Sequence, residues 1–329
     1  MRSRYLVTTA IPGLGLPLLR EAGEVTILPE APDYETLAAL CASGDYDVVL
    51  TQLRDVIDAP LLARARIRGV SNFAVGYNNI DLDAATTGGV MVANTPGVLT
   101  DATADIALLL ILGTARRVVE ADRLVREGRF KGWAPELMLG SDVSGAVLGL
   151  AGFGRIARAV ARRAIGFGLE VIFSPRPPGD RPVSNEELGE FAGRVRQVPW
   201  DELVKRSDFL SLHVPLTDRT RHLVDAAVLK RMKPEAILIN TARGPVVDEA
   251  ALVQALANGE IAGAGLDVFE DEPRLAVGLA DLPNTVLLPH IGSATVAVRN
   301  EMARLSALNA IAIAEGRVPA HAVNPQSWT

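Results

Sequence analysis

The chain has 329 residues, 49% of them hydrophobic and 22% charged, with a formal charge of −6. That length suits two domains with sizeable cores, and a mildly acidic chain without a basic block gives no electrostatic reason to expect nucleic acid or an anionic membrane as partner. The one cysteine, Cys41, excludes an internal disulfide; no apolar run reaches a membrane span, and Met1 leads straight into a strand-like segment without a signal peptide, so a cytosolic protein is expected.

In chain order, short apolar runs predict strands at residues 5–9, 24–28, 47–51, 67–73, 90–94, 146–151, 170–174, 209–213, 236–240, 263–268 and 285–289. Most are continuous rather than alternating, as parallel strands buried on both faces require. Helical patterns lie between them, among them residues 155–167, 223–231 and 249–258, so the alternation predicts an α/β architecture with right-handed crossovers. Two longer helices, 101–128 and 295–316, each follow a break, Asn94-Thr95-Pro96-Gly97 and Pro289-His290-Ile291-Gly292. They are read as crossings between domains. The first domain is then discontinuous, residues 1–97 with 292–329, and the second is the insert 98–291.

The insert carries a glycine fingerprint. Gly152, Gly154 and Ala157 form G-x-G-x-x-A directly after the strand at 146–151 and at the start of a helix. The first glycine permits the tight turn, the second lets a pyrophosphate approach the backbone, and Ala157 keeps helix and strand close. Unpaired N–H groups at the helix start then face phosphate, which makes Gly152, Phe153, Gly154, Arg155 and Ile156 candidate dinucleotide contacts. An acidic residue about 20 positions on usually bonds the ribose 2′-hydroxyl. Here that position falls at Pro175, between Ser174 and Arg176, and no Asp or Glu lies from Val171 to Gly179. An arginine fork accepts a 2′-phosphate that a carboxylate repels, so NADPH is expected to be preferred, with NADH as the lesser cofactor.

Three further strand ends gather reactive side chains: Arg243 after 236–240, Glu272 after 263–268, and His290 after 285–289. In a parallel sheet these carboxyl ends share one edge, where ligands bind. Arginine can grip a keto acid's carboxylate through paired hydrogen bonds. Histidine can give and take the proton of the neighbouring oxygen, and a glutamate on its other nitrogen orients the ring and favours its charged form. Singly, Arg243 can equally be a surface ion-pair partner, Glu272 a solvated loop acid and His290 a buried structural histidine. His213 is ranked as structural or cofactor-adjacent, and His222 and His321 have no evident partner in the sequence. Four scattered histidines and one cysteine offer no metal-ligand spacing.

Val75-Gly76-Tyr77-Asn78-Asn79-Ile80-Asp81, Asn94–Thr100, the Gly152 loop, Asn240–Asp248, Gly265–Pro273 and Pro289–Thr295 occur together and in one order. On these segments the chain resembles the D-isomer-specific 2-hydroxyacid dehydrogenase family over nearly its whole length. The resemblance implies two Rossmann-like parallel-sheet domains, the dinucleotide-binding one inserted into a flavodoxin-like substrate domain. It implies catalysis by Arg243 and His290 with Glu272 as partner. It also implies substrate contacts at Leu53, Val75, Gly76, Arg243 and His290, and further cofactor contacts at Val214, Pro215, Thr220, Thr241, Ala242, Arg243, Asp267, His290 and Gly292. Within the family, Ser174-Pro175-Arg176 and Gly132-Trp133-Ala134-Pro135 look like the glyoxylate/hydroxypyruvate reductase and 2-ketogluconate reductase branch. The family implies D-2-hydroxy acid products and a homodimer formed through the cofactor domain, with 101–128 and the arm around Trp133 as candidate interface; ordinary core packing is the competing role for Trp133. Phosphoglycerate- and D-lactate-type enzymes, and a non-enzymatic dinucleotide sensor, are the alternative readings. The absence of a regulatory domain after the last helix weighs against a long-type phosphoglycerate dehydrogenase.

Overall fold

Strands form where branched and aromatic residues run together. In the computed structural model, which describes residues 2–179 and 181–328, they are β1 Ser3–Val7, β2 Gly23–Ile27, β3 Val48–Thr51, β4 Gly69–Asn72, β5 Met91–Ala93, β6 Val147–Ala151, β7 Glu170–Ser174, β8 Val195–Gln197, β9 Phe209–Leu212, β10 Ile237–Asn240, β11 Gly263–Leu266 and β12 Thr285–Leu287. They pair in parallel into two sheets, ordered β2-β1-β3-β4-β5 and β12-β11-β10-β9-β6-β7-β8. The predicted fold class, two parallel-sheet α/β domains, is the observed one. Pattern reading overlooks only β8, a Val-Arg-Gln edge strand too short and too polar to show a continuous apolar run. The chain divides into two compact units, one running up to Leu99 and resuming at Ala294, the other Thr100–Ser293.

In the discontinuous unit, period-two alternation splits β1 between two cores. Tyr5 and Val7 face one with Leu50, Met302 and Ile313, the last two from helix Val296–Ala314. Leu6 faces the other with Leu37, Ile57, Val70 and Val92. Thr295 starts the long helix by accepting the Val298 N–H with its hydroxyl at 3.2 Å. Cys41 is fully buried, and burial pushes its thiol up to about 12.

Strand β5 lies at the sheet edge and is covered by a returning segment. Ala93 bridges Ala322 in antiparallel fashion, and the Val323 N–H donates to the Val92 carbonyl at 2.7 Å. The buried Asn324 side chain completes the seal. Its Oδ1 accepts the Val92 N–H at 2.7 Å, and its Nδ2 donates to the Val90 carbonyl at 3.0 Å and to the Thr86 hydroxyl at 3.1 Å. An edge covered in this way cannot template pairing with another chain.

In the Thr100–Ser293 unit the sheet is packed on both faces. Helices Thr100–Ala115 and Arg155–Gly166 place Leu110, Ile111, Val160 and Ala161 over Leu148, Leu150 and Phe173. Leu203, Leu229 and Leu252 cover Leu210 and Leu238 on the other side. The single helix expected over 101–128 is two: Thr100–Ala115, then Val118–Arg126. Arg117, between them, takes a left-handed φ of 52°, and its guanidinium holds both carboxylate oxygens of Glu120. The first helix lies against the sheet, whereas the second buries no residue, so no packing keeps it in line with the first. The arm that follows is equally open, and Trp133 is 84% exposed, which removes core packing as its role. No helix among the described residues is long and apolar enough to cross a membrane.

Replacing Asn324 with Ala leaves the buried Val92 N–H and Val90 carbonyl without partners. We expect a loss of about 1–3 kcal/mol in the unfolding of this unit, read by urea titration; an unchanged midpoint would show that the seal contributes nothing.

Candidate active site

Every strand of the second sheet points its carboxyl end to one edge, and the chain runs outward from β6 through β7 and β8 on one side and from β9 to β12 on the other. The crevice at such a reversal is where α/β sheets hold ligands. The loop leaving β6 is built for close approach. Gly152 has φ +93°, and a Cβ there would lie 2.6 Å from the His213 carbonyl oxygen, so only glycine fits. Its N–H donates to the Ser174 carbonyl at 2.8 Å. Phe153 stacks on Phe173 with centroids 4.0 Å apart and lies under the Arg158 guanidinium at 4.7 Å. Arg158 in turn donates to the Glu187 and Leu188 carbonyls.

Gly154 differs: a Cβ there would meet nothing within 4 Å. The fold itself does not require that glycine, and the open space lies at the N-terminus of helix Arg155–Gly166, beginning with Arg155 and Ile156, where unpaired amides favour phosphate. Ala157 and Ala161 are wholly buried and keep the helix close. A second fitting feature is the Thr241 hydroxyl, buried at the end of β10 without a hydrogen-bond partner. These residues fit a dinucleotide. At the end of β7, Ser174 is buried, Pro175 half-buried, and Arg176 exposed with no ion pair among the described residues. Thr220 is occupied within its own loop, donating to the Pro215 carbonyl at 2.6 Å, beside the buried Val214.

The turn after β10 presents Arg243. Asn240 shapes it, accepting the Ala242 N–H at 3.0 Å and donating to the Arg243 carbonyl at 2.9 Å. Arg243 Nη1 donates back to the Ala242 carbonyl at 2.7 Å. Next comes Gly244, where a Cβ would lie 1.8 Å from the carbonyl carbon and oxygen of Phe269. Backbone therefore rests directly on backbone, and the Arg243 turn is joined to the segment that carries Glu272. Glu272 Oε1 accepts the Phe269 N–H at 3.0 Å, and Oε2 pairs with His290 Nδ1 at 2.9 Å. His290 sits at a left-handed φ of 55°, just before two backbone N–H groups, of Ile291 and Gly292, that each donate to Asp267 at 2.7 Å.

The charges support one another. Partial burial pushes the Glu272 carboxyl up, but the His290 hydrogen bond and charge, the Phe269 N–H and Arg243 outweigh it and hold the group below its ordinary range. Burial pulls the Arg243 guanidinium down, and the Glu272 charge pushes it back. Asp267, almost fully buried, is raised by desolvation against the pull of its two N–H donors and His290. The three predicted catalytic side chains thus meet within one unit, His290 and Glu272 in contact and Arg243 acting on Glu272. Among the described residues no cluster of histidine, cysteine and carboxylates could hold a metal.

Leu53, Val75 and Gly76 lie in the other unit. Leu53 is half-buried in the turn after β3, a turn fixed by Asp55, which accepts the Gln52 N–H at 2.7 Å and the Thr8 hydroxyl at 2.5 Å. The Val75 and Gly76 carbonyls are held by the Asn94 and Asn72 side chains at 2.7 and 2.9 Å, while their N–H groups have no partner among the described residues. Two adjacent amides presented this way suit an anion. Sequence reasoning misses the partner of His222: its Nε2 meets Glu270 Oε1 at 2.5 Å. Those residues are 48 positions apart, and no local spacing announces the pair.

His213 pairs with the Ser211 hydroxyl at 2.9 Å, and desolvation pulls its imidazole down from 6.5 to about 4. Its folded value lies below its unfolded one, so its stabilising contribution is whole above pH 6.5 and is lost as pH falls toward 4. That window is worth at most about 3 kcal/mol. We expect His213→Gln to flatten stability against pH across it in denaturant titrations; parallel wild-type and variant curves would refute the assignment.

The family model described as D-isomer specific 2-hydroxyacid dehydrogenase, NAD binding domain, matches residues 108–292. A glyoxylate reductase of Thermococcus onnurineus is 48% identical over 330 aligned positions, covering 98% of this chain and 96% of the relative. Among solved structures, an NADPH-dependent glyoxylate/hydroxypyruvate reductase of Sinorhizobium meliloti in complex with NADP and malonate aligns with a TM-score of 0.86 at 36% identity, over 99% of this chain and 98% of the other. A glyoxylate reductase of Paecilomyes thermophila aligns with a TM-score of 0.86 at 32% identity, over 98% and 99% of the two chains. With a glycine-loop crevice and an Arg–Glu–His set on one sheet edge, and with relatedness of this extent, the chain belongs to the D-isomer specific 2-hydroxyacid dehydrogenase family and is an NAD(P)-dependent oxidoreductase.

Proposed function

We propose that this enzyme reduces small 2-keto acids, glyoxylate and hydroxypyruvate first and 2-ketogluconate also, to D-2-hydroxy acids, with NADPH preferred over NADH. The observation that carries the reading is the 2.9 Å His290–Glu272 hydrogen bond beside Arg243 at the edge of a dinucleotide-type sheet. The named relatives are glyoxylate reductases and support the substrate class. The D configuration is an inference from family membership.

Dihydronicotinamide, when bound, supplies the hydride. The chain's residues do the rest. Arg243 pairs with the substrate carboxylate and polarises the carbonyl, with Leu53 and the free amides of Val75 and Gly76 as further substrate contacts. His290 gives a proton from Nε2 to the carbonyl oxygen as negative charge builds there, and Glu272 on Nδ1 keeps the ring oriented and favours its protonated form. The Gly152–Ile156 loop holds the pyrophosphate, Val214, Pro215, Thr220, Thr241 and Ala242 line the cofactor's path, and Asp267 serves it by fixing Ile291 and Gly292. Arg176, exposed and without an ion pair among the described residues, takes the 2′-phosphate with Ser174 and Pro175.

Absorbance decay of NADPH with glyoxylate, hydroxypyruvate and 2-ketogluconate tests this. We expect turnover of all three, a kcat/KM for NADPH at least about tenfold above NADH that Arg176→Ala narrows, and a drop of about 100-fold or more in His290→Ala with its circular dichroism unchanged. No turnover on any keto acid would favour a dinucleotide sensor.

We also propose a homodimer through this unit. Residues 118–140 carry Val118, Val125, Phe130, Trp133 and Leu139 at 50% exposure or more, an apolar arm that a second copy would cover. Sedimentation should show a dimer that Trp133→Glu weakens; a monomer at micromolar concentration would count against it.

A further inference from the structure

Beneath the Glu272 segment lies a carboxylate that the proposed chemistry does not use. Glu249 opens helix Glu249–Ala257 and is 3% exposed, a rare state for an acid that no cation among the described residues pairs with. Its Oε1 accepts the Glu270 N–H at 2.5 Å and its Oε2 accepts the Ala276 N–H at 3.3 Å. These two donors stand on either side of Glu272. Glu270 answers in kind: its Oε2 accepts the Glu249 N–H at 3.2 Å, while its Oε1 holds His222 at 2.5 Å. A capping role at the helix start does not need this arrangement, because Asp248 already accepts the Ala251 N–H at 2.9 Å. Desolvation pushes the Glu249 carboxyl up, its two N–H donors pull it down, and Glu270 and Glu272 push it up again. The group thus stays buried at an electrostatic cost that holding the loop offsets.

We propose that Glu249 is a positioning residue: it clamps both ends of the 270–276 loop, with the His222–Glu270 pair as outer brace, and so fixes Glu272 against His290. This rests on the reading of His290 as proton donor. Charged groups facing the pair are Arg243 and Asp267, with Glu249, Glu270 and His222 behind the loop.

A glutamine at 249 keeps the size but offers one acceptor where two N–H groups need one each. With the loop loosened, Glu272 stabilises the imidazolium less, so the pH at which reduction fails on the alkaline side moves down. For Glu249→Gln we expect kcat on glyoxylate to fall about tenfold, KM to change less than about twofold, and the alkaline limb of the kcat profile to move down by about half a unit or more. Glu249→Asp, with both acceptors kept, should restore part of kcat and of the limb. A variant that merely folds poorly loses amplitude and keeps its limb. His222→Gln, made at the half-exposed rim, should give a smaller shift in the same sense and covers the case in which Glu249→Gln does not fold. Unshifted limbs in both variants, or in His222→Gln if Glu249→Gln does not fold, would overturn the clamp. Failure of the wild type to turn over would instead overturn the reading of the site.

Discussion

Gly244 lying flat on the backbone of Phe269 is the contact on which the site depends. Arg243 and Glu272 leave neighbouring strands, but adjacent strands only place loop starts about 5 Å apart and do not say where the loops go. The direct backbone contact removes that freedom. The carboxylate of Asp267 does the same for the third loop, taking two consecutive N–H groups just after His290. Three loops that could each wander are held by one missing side chain and one buried acid.

The electrostatics follow from that geometry. A carboxylate beside histidine and arginine is kept charged although it is partly withdrawn from water. His213, at the end of β9, has no such partner, and burial leaves it neutral. Two histidines at the mouths of strands in the same sheet therefore have different neighbours, a carboxylate for His290 and a serine hydroxyl for His213.

Much of this was legible in the order of residues. Continuous apolar runs such as Val48–Thr51 and Ile237–Asn240 announce buried parallel strands, and a glycine loop after such a run announces a nucleotide crevice. The arginine, glutamate and histidine could be nominated because each follows a strand, and a shared edge is a property of parallel sheets. The break at Arg117 was not readable, since the helical periodicity continues through it and only the lack of anything to pack against ends the first helix. The Glu249 and Glu270 exchange was equally silent: an acid at a helix start is commonplace, and its partner lies 21 positions away. Contacts between backbone and distant carboxylates leave no periodic trace.

The discontinuity of the first unit has a consequence for how the molecule is made. Met302, Ala303, Ala307, Ala310 and Ile313 cover the sheet face formed by Tyr5, Val7, Leu50 and Met91. During vectorial synthesis those strands leave the ribosome long before the helix that shields them, and the whole Thr100–Ser293 unit is translated in between. The inserted unit can thus mature first, while the earlier-born strands wait with an apolar surface open to chaperones until helix Val296–Ala314 has been made.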